Sequence, residues 1–168
     1  MRVSCRQHRP VDVLPSFLLC PEDALDVLCA VQAANPGAAY IALVTDPNRR
    51  GRLAIPFPPE VPVSTEVAGS TEVAGDGRGI ERIADQLVEA VGKDRWGDVP
   101  CLVLCTCVGG AGAEPTDEDE ATWFALQERC RQYGSVELLD WFLLADEEVR
   151  SMSELYGPGW WWPDDDEF

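Results

Sequence analysis

The chain has 168 residues, enough for one domain with its own apolar core. Apolar residues make up 46% and charged residues 26%, which marks a folding chain rather than a disordered one. Thirty Asp and Glu against thirteen Lys and Arg give a net charge of −17. That balance argues against a nucleic-acid partner and against docking on an anionic membrane, because both depend on Lys and Arg.

The acidity is uneven: residues 114–168 hold 16 acids and 3 bases, whereas residues 1–113 hold 14 and 10. The longest apolar run, around 101–108, falls far short of the ~20 residues that span a bilayer. Phe17-Leu18-Leu19-Cys20 superficially mimics a lipoprotein signal. Asp12 and Pro15 interrupt its apolar core, and bulky Leu19 stands where a cleavage site wants a small residue. The expectation is a cytoplasmic protein. Its seven cysteines are then reduced thiols serving as small core residues or metal ligands.

Residues 1–20 read as an N-terminal extension, 21–155 as the domain, and 156–168 as an aromatic, acidic tail. Pro21 followed by Glu22 and Asp23 is a helix start, with proline in the first turn and acids at the positive end of the dipole. Leu25, Leu28, Cys29 and Gln32 share a face, so the spacing predicts a helix ending at Asn35-Pro36-Gly37. A β-type run over 40–45, turn chemistry over 46–51 and a second run over 53–57 predict a hairpin. Residues 58–78 form an insertion with a tandem repeat, Ser64-Thr65-Glu66-Val67-Ala68-Gly69 and then Ser70-Thr71-Glu72-Val73-Ala74-Gly75. Two copies are too few for a solenoid and read as tolerant loop.

Ile80, Ile83, Ala84, Leu87, Val88 and Val91 keep helical spacing over three turns. Residues 101–108 read as a strand buried on both faces. A Gly-rich loop follows, then a helix from Thr116 to Tyr133 closed by Gly134. Residues 136–144 are another strand, with 149–152 pairing beside it. This order predicts a three-layer α/β/α sandwich around a mixed β-sheet.

Cys105-Thr106-Cys107, eight residues, then Thr116-Asp117-Glu118-Asp119 resembles the zinc motif of the JAB/JAMM (MPN) metallopeptidases. That motif is His-Ser/Thr-His, seven residues, Ser, two residues, Asp. Here both histidines are cysteine, the serine is threonine and one residue is inserted. The surrounding order is similar to the RadC-like bacterial branch, in which a helix precedes the motif strand and an acid-capped helix and a further strand follow. Residues 35–45 and 46–53 are similar to that branch's approach to its first strand and to the turn after it. The resemblance spans residues 22–155 and implies the JAB/MPN, cytidine-deaminase-like fold.

It also implies chemistry. In the family two His and one Asp hold zinc, a Glu ahead of the first strand is the general base, and a serine helps bind the oxyanion. By position, Cys105, Cys107 and Asp119 would be the metal ligands, Thr116 would stand for the serine, and the base would fall at Ala38 or Ala39. No carboxylate is there, and the only histidine is His8. The expected function is therefore a non-catalytic protein-interaction or regulatory module without a cofactor. The alternative is a zinc-dependent peptidase with a Cys-Cys-Asp site that recruits Glu60, Glu66 or Glu72 as base.

Simpler readings stand beside these. Alternation puts Cys105 and Cys107 on one face about 6.5–7 Å apart, where thiols are ordinary core residues or two zinc-suited thiolates. Thr116 and Asp119 match a capping box. Cys5-Arg6-Gln7-His8 with Cys20 or Cys29 has zinc-like composition at irregular spacing, and a cysteine-based redox or metal sensor is a third reading. Trp160, Trp161, Trp162 and Phe168, in an acidic Pro- and Gly-bounded tail, are the candidates for contacting a protein partner.

Overall fold

The computed structural model describes residues 17–18, 20–59, 79–91, 98–108, 112–134, 136–146 and 148–157. Helix α1 (Pro21–Ala34) begins with proline at its start, and the Asp23 carboxylate accepts the Cys20 amide at 3.3 Å. It buries Ala24, Leu28 and Val31, and ends where Asn35 donates its side-chain amide to the Val31 carbonyl. β1 (Tyr40–Thr45) and β2 (Gly51–Phe57) form the expected antiparallel hairpin. β2 starts two residues earlier than the sequence run suggests. Asp46 accepts the Arg50 amide at 3.0 Å and pairs with Arg52 at 3.0 Å, so the turn draws Gly51 and Arg52 into the ladder.

Helix α2 (Ile80–Val91) buries all six of its periodic apolar residues. β3 (Cys101–Cys107) lies antiparallel to β1 and parallel to β4 (Glu137–Leu144). A parallel pair needs a crossover, and helix α3 (Asp117–Tyr133) supplies it. β5 (Val149–Ser151) pairs antiparallel with β4 and leads into a short helix α4 (Met152–Tyr156), which the sequence pattern did not reveal. The result is a five-stranded mixed sheet in the order β2-β1-β3-β4-β5, flanked by four helices among the described residues.

Side-chain alternation sorts the core onto two faces. On one face Ile41, Leu43, Val103 and Cys105 pack with Leu28 and Val31 of α1. On the other, Val44, Leu102, Leu104 and Trp141 pack with α2 residues such as Leu87, with Trp123 and Leu126 of α3, and with Met152 of α4. α1 therefore covers one side, and α2, α3 and α4 cover the other. At about 25 cal/mol per Å² of apolar surface removed from water, these two interiors are the main stabilising term. Among the described residues no helix is long and apolar enough to cross a membrane.

Candidate functional site

The pleat of β3 decides where each motif residue goes. Cys105 and Cys107 share the α1 face, Cys105 fully buried and Cys107 half-buried at the strand's end. Thr106, between them, faces the other way, and its hydroxyl accepts the Trp141 indole N–H at 3.0 Å. Antiparallel pairing with β1 brings Ala39 beside Cys107, whose amide donates to the Ala39 carbonyl at 2.8 Å. The position at which the resemblance places the general base therefore lies next to the second cysteine, and it holds a methyl group.

Thr116 and Asp119 form a complete capping box at the start of α3. The Asp119 amide donates to Thr116 Oγ1 at 3.2 Å, while Asp119 Oδ2 accepts the Thr116 amide at 2.8 Å and its hydroxyl at 2.9 Å. This arrangement satisfies α3's first turn and uses the Asp119 carboxylate, which is 1% exposed. Gly134 ends the helix in the left-handed region at φ 58°, its amide donating to the Cys130 carbonyl.

The structure thus brings together Cys105, Cys107 and Ala39, and separately Thr116 and Asp119, but not the two groups. α3 packs over the face that carries Leu102, Leu104 and Thr106, whereas the cysteine side chains point to α1. The three residues that the resemblance makes one ligand set, Cys105, Cys107 and Asp119, are thus divided between the α1 face of β3 and the start of α3. The crossover from β3 to β4 carries α3 to the side opposite the sulfurs. Among the described residues, no group of three or more His, Cys, Asp or Glu could hold a metal ion. Cys5, His8, Glu60, Glu66, Glu72, Trp160, Trp161, Trp162 and Phe168 lie outside the described residues, as does the tandem repeat.

The cysteines differ in acidity. Burial, with Glu137 next to it, pushes the Cys101 thiol up to about 11, and burial, with Asp85 adding to it and Arg129 opposing, does the same for Cys130. Cys105 beside it holds the Cys107 thiol below the ordinary range, against the effect of burial. Cys105 itself is raised by its neighbour Cys107 and by its burial.

One polar cluster was missed by the sequence reading. Register slips between β3 and β4 at Leu102/Val103, leaving Leu139 as an extra residue in β4 and setting Asp140 against Val103. The buried Asp140 carboxylate accepts the Ser151 hydroxyl at 2.7 Å, the Ser153 amide at 3.0 Å and the Trp141 amide at 2.7 Å. Burial raises its pKa, and these donors oppose the rise. The cluster ties β5 and α4 to the sheet. All three side chains are buried away from solvent, so its arrangement is that of a structural clasp. Its one visible signal was an acid inside an otherwise apolar strand.

A separate apolar cleft of about 190 Å³ lies between the end of α3 and the start of β4, lined by Val99, Cys130, Val136 and Leu138 among others. It touches none of the motif residues. Comparison with family models, curated proteins and solved structures found no match.

Proposed function

We infer that this chain is a RadC-like JAB/MPN-type domain that lacks the hydrolytic centre and acts as a protein-interaction or regulatory module. The reading rests on the resemblance of the sequence over residues 22–155. It is supported by an element order around β3 that follows the same pattern, helix, motif strand, acid-capped helix, strand. One observation carries the non-catalytic half of the reading. At the position that the resemblance gives to the general base, Ala39 stands beside Cys107 with a methyl, and Asp119 caps α3 with Thr116, apart from the cysteines. General-base catalysis is worth about 10²–10⁴ in rate, so a chain without the base forfeits much of what the scaffold could deliver.

The test combines metal content with turnover. The purified reduced protein is expected to carry well under one zinc per chain and to leave peptide and isopeptide substrates intact with zinc added. Stoichiometric zinc lost in Cys105→Ser, with turnover abolished in Asp119→Ala, would favour the zinc-peptidase alternative. For the interaction role, deletion of residues 158–168 should weaken partner capture and leave the melting temperature nearly unchanged. A large loss of stability would instead make the tryptophans part of the fold.

A further inference from the structure

α3 and α4 meet in an exposed aromatic corner that takes no part in the site around β3. The Phe124 and Tyr156 rings pack edge to face, with centroids 6.4 Å apart. Phe124 is nonetheless 47% exposed, and Leu155, the residue before Tyr156, is 49% exposed. Apolar side chains scattered singly over a surface mean little, whereas adjacent ones mark a place where another surface docks.

The charge around this corner says which surface. Helical spacing sets Asp117 and Glu120 on the same stripe of α3 as Phe124, seven and four residues before it. Glu154, exposed, precedes Leu155 in α4. The basic side chains nearby are engaged elsewhere, Arg129 with Asp85, Arg131 with Glu128 and Arg150 with Glu114. Burial first, and then the carboxylates of Glu120, Asp119, Asp117 and Glu114, raise the Tyr156 phenol, so the potential over its ring is negative. Aromatic rings and carboxylates together attract Lys and Arg. The same charge opposes a second copy of this chain, at −17, and the acidic run Asp164-Asp165-Asp166-Glu167 that follows in the sequence.

We propose that Phe124, Leu155 and Tyr156 form a docking surface for a basic amphipathic segment of a partner protein, its apolar residues on the rings and its Lys or Arg on Asp117, Glu120 and Glu154. This surface rests on the interaction reading and deepens it by giving the partner a chemistry.

The test is fluorescence polarisation of a labelled helical probe peptide of Leu and Lys with one apolar stripe, titrated with the full chain. A peptide of the same composition with the stripe scrambled, and one with Glu in place of Lys, are the controls. The striped basic peptide should bind at least about tenfold more tightly than either. Phe124→Ser and Leu155→Ser, at exposed positions, should each weaken it about tenfold, as truncating an anchor does, while Tyr133→Ser, an exposed aromatic at the far end of α3, should not. Asp117→Asn/Glu120→Gln should weaken binding and flatten its dependence on salt. Failure of the striped peptide to bind, equal binding of the scrambled one, or unchanged binding in Phe124→Ser and Leu155→Ser would overturn the proposal. Binding tightened about tenfold by deletion of residues 158–168 would make the tail the occupant, and a dimer lost in Phe124→Ser would make it a second copy; either result overturns it too. Zinc-dependent turnover would instead sink the interaction reading and leave these peptide affinities as they are, so the two failures differ.

Discussion

Replacing Asp140 separates two roles that a buried carboxylate can play, acceptor and charge. Oδ1 accepts both backbone amides, from Trp141 at 2.7 Å and from Ser153 at 3.0 Å, while Oδ2 faces the Ser151 hydroxyl at 2.7 Å. Asp140→Ala orphans two buried N–H groups, each costing about 1–3 kcal/mol. The Ser151 hydroxyl can turn to Ser153 Oγ, 3.1 Å away, so it adds little. Relief of the buried charge offsets part of the loss, leaving a net cost of roughly 2–4 kcal/mol, or about 4–16 °C in melting temperature for a chain of this size. Asp140→Asn keeps a carbonyl oxygen for both amides and places its NH₂ against Ser151, which can accept. It should stay within ~1 kcal/mol of the unaltered protein near neutral pH.

The pH dependence has a definite sign. The folded-state pKa of Asp140 is raised, so the folded chain binds the proton more readily than the unfolded chain. This residue therefore adds stability as pH falls from above its folded pKa toward the ordinary carboxylate value, and opposes folding above that window. The Asn variant should lose that component. Thermal melts followed by circular dichroism across this range measure both effects. Equal damage from Asn and Ala at neutral pH would refute the reasoning, since it would mean that the charge, not the acceptor, holds β5 and α4 in place.

Three further outcomes follow from the local geometry. Thr116→Ala removes the hydroxyl that caps α3 and should cost about 1 kcal/mol in chemical denaturation, whereas Thr116→Ser should be nearly neutral. Gly134→Ala forces a side chain into the left-handed region, where nothing lies within 4 Å to clash, so the cost of about 1–2 kcal/mol comes from backbone conformation alone. Gly134→Asn should recover part of it. Cys107 should react with iodoacetamide at lower pH than Cys101 and Cys130, whose thiols are held near 11, and Cys105→Ala should slow that reaction by removing the neighbour that lowers it. Peptide mass spectrometry reads these rates site by site.

Most of the fold was legible because period and punctuation agreed. The six apolar positions of α2 are the six it buries, and Thr116 and Gly134 mark α3 at both ends. The hairpin was visible in its Asp-Pro-Asn turn. β4 was legible as an apolar run, but its extra residue was not, because an acid in a buried strand says nothing of register until its partners Ser151 and Ser153 are in place. α4 was hidden for a related reason, since five residues are too few to show a period. The candidate site divided along the same line. Spacing within one strand placed Cys105 and Cys107 together, and spacing within one helix turn placed Thr116 with Asp119. The relation between those pairs depends on which side of the sheet the crossover takes, and no local pattern encodes that.

The strict alternation of β3 has an evolutionary consequence. Odd and even positions of that strand belong to different compartments, and parity is not something a point substitution can change. Donors able to meet the acid-rich start of α3 would have to stand at even positions, where Leu104 and Thr106 are now. Reaching that state by descent takes substitution of those buried residues themselves, or an insertion or deletion that shifts the whole strand by one and reverses every buried side chain along with it. Substitutions at the two cysteines can drift toward sulfur, methyl or larger apolar groups, yet none of them opens a route across the sheet.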